Sequence, residues 1–107
     1  MKILVPRIVW IGATDYKIKI NPYLRVDEAR LGCIDRRLGT ISIDKNLRDS
    51  NKSASFYHEV LHAINDDSTL HLDDDTIERL ANALNDFLFR NSILELDWSG
   101  LDKLEEK

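Results

Sequence analysis

Two histidines and a glutamate within five residues form the part of this sequence whose spacing best suits chemistry. The segment from His58 to His62 reads His-Glu-Val-Leu-His and holds two of the chain's three histidines. In an α-helix, residues four apart lie one above the other, so both imidazoles can bind one cation. Glu59 would lie beside that ion without binding it, where it can take a proton from a metal-bound water. The H-E-x-x-H pattern therefore predicts a zinc-binding helix with Glu59 as general base.

The residues around this segment favour a helix. A stripe of apolar residues has the spacing of one helical face, and the histidines lie on a neighbouring face: Tyr57, Val60, Leu61 and Ile64. The helix should end near Asn65, and three residues are candidates for its N-cap: Asp49, Ser50 and Asn51. The competing interpretation is a solvated helix that binds no metal. The agreement between the motif and the helical stripe favours the metal site.

A catalytic zinc needs three protein ligands, and the third is open. The extended pattern with a third histidine is excluded, because its glycine and histidine positions are Asn65 and Ser68. Glu78 is favoured, because a second helix folding back on the first would direct it at the two histidines. His71 is the alternative, either as a ligand or as a group that stabilises an oxyanion. Capping and solvation are the favoured roles of the remaining candidates, which are Asp66, Asp67, Asp73, Asp74 and Asp75.

The residues before the motif predict a small sheet. Residues 1 to 11 are rich in β-branched residues, and Pro6 indicates an edge strand or a bulge there. Residues 16 to 20 alternate between apolar side chains and lysines. Residues 31 to 35 and 39 to 44 are typical of a β-hairpin with one buried face.

The residues after the motif predict a second helix and a last strand. The helix begins at the aspartates 73 to 75 and ends near Arg90, with an apolar stripe made of Ile77, Leu80, Ala81, Leu84 and Leu88. A short strand follows, through Leu94, Leu96 and Trp98. This order indicates an α+β fold, in which a small antiparallel sheet packs on two helices. The length predicts one domain over residues 1 to 107.

Composition and charge limit the partners. The chain is 43% apolar and 32% charged, which is typical of globular proteins. A net charge of −4 without a long basic run argues against nucleic-acid binding. The sequence has no apolar run of transmembrane length and no signal-peptide pattern, so we expect no membrane partner. A single cysteine, Cys33, excludes an internal disulfide and fits a reducing cytoplasm.

The segments HEVLHAI and TIERLANAL together resemble the zincin metallopeptidases, specifically a minimal gluzincin. They are similar to small metallopeptidase-like proteins encoded by phages and prophages, over about residues 39 to 91. The resemblance implies that His58, His62 and Glu78 bind zinc and that Glu59 is the catalytic base. It also implies that a bound peptide lies antiparallel to an edge strand, for which the segment LGCID is the candidate. A phage origin would imply the host cytoplasm.

Two functions follow from these patterns. The favoured one is a zinc-dependent peptidase that cleaves a specific peptide or protein substrate. The alternative is a metal-stabilised module that binds a protein without cleaving it. Glu59 favours the peptidase, because a structural site does not need a base, whereas a fourth ligand such as His71 would favour the module. Zinc suits two histidines and a carboxylate, although manganese, iron or cobalt would fit the same donors.

Overall fold

The computed structural model describes residues 1–22 and 32–101, and it confirms the α+β class. The two long helices within these residues are α1 (Asp49–Asp67) and α2 (Asp74–Arg90). The strands, in chain order, are β1 (Lys2–Leu4), β2 (Ile8–Ile11), β3 (Thr14–Asn21), β4 (Gly32–Asp35), β5 (Thr40–Asp44) and β6 (Glu95–Asp97). The predicted hairpin is formed by β4 and β5, although its predicted first residue, Leu31, lies outside the described residues.

The main sheet has four strands in the order β2-β3-β5-β4. The pairs β2/β3 and β4/β5 are antiparallel, but β3 and β5 are parallel, with Ile18 opposite Ile41 and Ile20 opposite Ile43. The sheet is therefore mixed, where the sequence had predicted antiparallel pairing. The chain reaches β5 from β3 by way of β4, so β3 and β5 can run in the same direction. Among the described strands, β4 thus lies at one edge.

One face of this sheet is covered by α1. Along β3, Tyr16, Ile18 and Ile20 are buried while the two intervening lysines are exposed, which is the alternation of a half-buried strand. On α1, Phe56 and Ala63 are buried in the same apolar cluster. The predicted stripe is less buried than this pair, since Tyr57 and Val60 lie at the margin of the cluster and Ile64 is exposed.

The N-terminal apolar run forms two strands of different sheets. Strand β1 pairs in parallel with β6, and β2 pairs with β3. The break falls at Pro6, which has no N–H to donate to a ladder. Trp98, just after β6, is fully buried, packs edge-on against Phe56 and donates a hydrogen bond from Nε1 to Ser53 Oγ. Strand β6, and β1 with it, is thereby fixed to α1.

The second helix packs on the first rather than on the sheet. Ile77 and Ala81 are buried, but Leu80 and Leu84 of the predicted stripe are exposed. Asn85 Nδ2 donates to the carbonyl of Ser50 at 3.2 Å and links the second half of α2 to the start of α1. Neither described helix combines the length and apolarity needed to cross a bilayer.

Candidate metal centre

The two histidines of the motif converge on one point at the surface of α1. His58 Nε2 and His62 Nε2 are 2.9 Å apart, and the two rings stack with their centroids 4.7 Å apart. Both side chains are about a quarter exposed, at 25% and 26%. This is the arrangement that the four-residue spacing predicted.

The first residue of α2 supplies the third donor. Asp74 Oδ1 is 2.7 Å from His62 Nε2 and 3.6 Å from His58 Nε2. Among the described residues, these are the only three His, Cys, Asp or Glu side chains with donor atoms all within 4.8 Å of one another. The structure therefore brings Asp74, rather than Glu78, to the two histidines.

Protons alone do not satisfy these three atoms. An imidazole Nε2 carries either one hydrogen or one lone pair, pointing out of the ring. If His62 donates to Asp74, its Nε2 has no lone pair left for His58. If it accepts from His58, it turns a lone pair towards the carboxylate. A hydrogen on both Nε2 atoms, in neutral or cationic rings, would leave two N–H groups directed at each other across 2.9 Å. A cation between the three atoms attracts all of them, so this donor set fits a metal ion.

The distances also fit the size of zinc. The point equidistant from the three atoms lies about 1.8 Å from each, close to the zinc–nitrogen and zinc–oxygen distances of about 2.0–2.2 Å. With three protein donors, a bound zinc would keep a fourth coordination position for water or substrate, as a catalytic site requires.

Asp74 is positioned by the cap of α2. The carboxylate of Asp73 accepts a hydrogen bond from the Thr76 N–H at 2.7 Å. Hydrogen bonds from the Thr76 side chain and backbone hold the pKa of Asp73 below its usual value. The predicted capping role of the aspartates is thus confirmed for Asp73. Because the cap fixes where α2 begins, it also fixes the direction of the next side chain.

Asn65 fixes the connector between the helices. Its side chain is buried, and its Oδ1 accepts from the Leu72 N–H at 2.9 Å while its Nδ2 donates to the Leu72 carbonyl at 3.3 Å. Both hydrogen-bonding groups of Leu72 are therefore held by one side chain, two residues before Asp74. Asn65 thus occupies the motif's glycine position with a positioning function of its own.

Glu59 lies between the histidine pair and the edge of the sheet. It is half-buried and lines the same cavity as His58, His62 and Asp74. A Cβ added at Gly32 on β4 would lie 3.4 Å from Glu59 Oε2 and 3.5 Å from its Cγ. A Cβ there would make ordinary van der Waals contact with Glu59, so only a side chain larger than alanine would crowd the carboxylate at the edge strand.

The cavity has a volume of about 700 Å³ and is open to solvent. This is within the usual range of ligand-binding pockets. Its walls come from the donor-bearing face of α1, one face of α2 and the edge strand β4. Besides the donors and Glu59, the lining includes Gly32, Cys33, Ile34, Arg36, Asn51, Ala54, Ser55, Glu78 and Asn82. Arg36 forms an ion pair with Asp66, one turn after His62, and so fixes one end of the cavity.

The two other predicted site residues lie outside the donor cluster. Glu78 lines the cavity one turn along α2 from Asp74. His71 is exposed, has a left-handed backbone with φ of 62°, and is not part of the cavity lining. The predicted oxyanion role of His71 therefore has no geometric support. As the third ligand, Glu78 has less geometric support than Asp74.

Sequence reasoning underrated Asp74 and missed Asn65 and Gly32. Asp74 was among the alternatives, but three consecutive aspartates before a helix are typical of caps. The signal for Asn65 was its position, since it falls seven residues after His58, on the same side of α1 as the two histidines. No sequence signal marked Gly32, because its role depends on the distance between β4 and α1.

Comparisons with protein-family profiles, curated proteins and solved structures found no match to this chain.

Proposed function

We propose that this protein is a zinc-dependent peptidase. The observation that carries the proposal is the convergence of two imidazole nitrogens and one carboxylate oxygen, with a second carboxylate, Glu59, in the same open cavity. A site that only stabilised a fold would need neither the open side nor the nearby base. His58, His62 and Asp74 would hold the ion.

The bound ion would polarise the scissile carbonyl and make a water molecule more acidic. The Glu59 carboxylate would accept the proton from that water and pass it to the leaving amine. Its place beside Gly32 keeps it next to the strand edge on which a substrate would lie. Asn82 and Ser55 supply neutral polar groups elsewhere in the cavity wall, where they can bind substrate amides.

The substrate that suits this cavity is an extended peptide segment. Of the described strands, β4 has a neighbour on one side only, and its residues 32 to 34 line the cavity. An edge strand offers backbone N–H and C=O groups that a peptide can pair with by strand addition. A peptide paired antiparallel to β4 would pass Gly32 and Glu59. A cytoplasmic location, in the host if the protein is phage-encoded, accords with the single cysteine.

Hydrolysis of a complex peptide mixture by the zinc-loaded protein tests this proposal. Cleavage sites would be read by mass spectrometry for the wild type, Glu59→Gln and the control Glu95→Gln, which is the same change at an exposed residue of β6 that does not line the cavity. We expect the wild type and the control to cleave the mixture. Glu59→Gln should keep its zinc and lose activity by about 10²–10⁴-fold, which is the usual contribution of a general base. A zinc-loaded wild type that cleaves nothing, or a Glu59→Gln variant as active as the wild type, would refute the peptidase.

A metal-stabilised binding module is the second candidate. The three donors belong to α1 and to the first turn of α2, so an ion bound there would tie the two helices together. Such an ion would contribute free energy to folding whether or not the protein has a catalytic activity. Full zinc binding with a large thermal stabilisation and no cleavage would favour this module.

A further inference from the structure

Helix α2 exposes an apolar surface on the side away from the cavity. The cavity-lining residues Asp74, Glu78 and Asn82 share one side of the helix, and Ile77 and Ala81 are buried against α1. On the far side, four consecutive positions of a helical face are apolar and exposed: Leu80, Ala83, Leu84 and Phe87. We call these four residues the α2 stripe. The three large ones are 46%, 38% and 55% exposed, which is high for side chains of this type.

Two opposite charges flank the α2 stripe along one side. Arg79 lies beside its first residue and Asp86 beside its last, and both side chains are well exposed. Each is paired within its own helix, Arg79 with Asp75 at 2.7 Å and Asp86 with Arg90 at 2.9 Å. The two charges are almost equally distant from Ala83 at the centre of the stripe. Along this side of the stripe the charges follow one another as Asp75, Arg79, Asp86 and Arg90, so the order of signs is reversed when the helix is followed from its other end.

We propose that a second copy of this chain binds the α2 stripe with its own α2 stripe, in an antiparallel orientation. A two-fold axis near Ala83 places Leu80 against the partner's Phe87, with small side chains at the crossing point where the helices must approach. The same axis places Arg79 next to the partner's Asp86, and Asp86 next to the partner's Arg79. A parallel two-fold pair would instead place the two charged sides on opposite sides of the interface, where they could not pair with each other. The two helix dipoles also favour the antiparallel orientation.

The charge pattern favours a second copy over a lipid surface. A helix that binds an anionic membrane carries an excess of Lys and Arg beside its apolar face. The α2 stripe is flanked by equal numbers of acidic and basic groups, and the whole chain has a net charge of −4. A self-complementary surface of this kind produces a closed two-fold dimer rather than a filament.

The small size of the α2 stripe sets the expected affinity. A stable interface buries about 800 Å² per partner, and four side chains on one helix supply only part of that area. We therefore expect a dimer that dissociates on dilution, with a Kd on the order of micromolar.

A charge exchange tests this interface by sedimentation equilibrium. Arg79→Glu and Asp86→Lys each oppose like charges in their own homodimers, but mixed together they restore two opposite-charge pairs. We expect the wild type to dimerise, each variant alone to lose dimerisation by at least about tenfold in Kd, and the mixture to recover it. Circular dichroism of each variant verifies that α2 is still helical.

A matched pair of phenylalanines provides the control for apolar contact. Phe87 is in the stripe and Phe89 is not, yet they are 55% and 57% exposed on the same helix. Phe87→Ala should abolish the dimer at concentrations where Phe89→Ala leaves it unchanged. A wild type that stays monomeric up to about 0.5 mM, well above a micromolar Kd, would overturn the proposal. So would charge variants that dimerise as well as the wild type, or a mixture that does no better than its components.

Discussion

Replacing Asp74 and Glu78 in turn should separate the third ligand from a neighbouring charge. Asp74 Oδ1 lies 2.7 Å and 3.6 Å from the two histidine nitrogens. Glu78 lines the same cavity from one turn further along α2, which is a helical rise of about 6 Å. If the donor cluster binds zinc, Asp74→Ala removes a bond to the ion, whereas Glu78→Ala removes only a charge near it.

The two losses differ enough to be measured. Structural zinc sites with four protein ligands bind with about 10–16 kcal/mol, which is about 2.5–4 kcal/mol per ligand. Asp74→Ala should therefore weaken zinc binding by about 3 kcal/mol, or more than about 100-fold. A single charge about 8 Å from a divalent ion in water contributes about 1 kcal/mol. Glu78→Ala should therefore weaken binding by no more than about fivefold, and less in salt.

Competition with a chromophoric zinc chelator measures both affinities. Asp75→Ala is the matched control, because Asp75 also contributes a negative charge to the first turn of α2 but does not line the cavity. Its zinc affinity should stay within about twofold of the wild type, since an exposed charge beyond the cavity is largely screened. A Glu78→Ala variant that loses 100-fold while Asp74→Ala stays close to the wild type would refute the assignment and support the original sequence prediction.

Three further perturbations test how the cavity is built. Asn65→Ala removes both hydrogen bonds that hold the connector. Chemical denaturation should therefore show a free energy of unfolding about 1–3 kcal/mol lower than that of the wild type. An unchanged free energy of unfolding would contradict the positioning role of Asn65. Gly32→Val should keep zinc but slow peptide cleavage by about 10²-fold, because the valine methyl groups would displace Glu59. Gly32→Ala should remain active, because its Cβ would make only an ordinary contact with Glu59. Equal activities of the two variants would contradict this placement of Glu59 beside Gly32. The pKa of Asp73 is lower in the folded protein than in the unfolded chain. Its ionised carboxylate therefore stabilises the fold fully above the pKa of the unfolded chain, about 3.9, and this stabilisation is lost as the pH falls through the lower pKa of the folded protein. Urea unfolding from pH 5 to pH 2 should show a weaker pH dependence for Asp73→Asn, and an identical one would count against the cap.

The parts of the fold that sequence predicts are those with local signals. The hairpin of β4 and β5, the two helices and β6 each have a periodic pattern between turn residues or caps, and each is present. The parallel pairing of β3 with β5 was not predicted, because no local pattern distinguishes which distant strand a strand will join. The separate pairing of β1 with β6 is likewise non-local, and Pro6 had indicated only an edge strand or a bulge in this run.

The donor set shows the same division between local and non-local information. His58 and His62 converge because helical geometry alone brings residues four apart together. The third donor depends on the path of a short connector and on where α2 begins. In the structure the connector includes His71 at a positive φ and is held by Asn65, and α2 begins at Asp74. A shift of one helical turn at that start would have brought Glu78 to the histidines instead.

Zinc K-edge X-ray absorption of the protein loaded with one equivalent of zinc tests the metal centre most directly. We expect a first shell of about four nitrogen and oxygen atoms near 2.0 Å, with the multiple-scattering signature of two imidazoles. A sulfur shell near 2.3 Å would instead make Cys33 a ligand. A spectrum without imidazole scattering, typical of hydrated zinc, would mean that His58, His62 and Asp74 do not bind the ion, and the proposed peptidase would lose its basis.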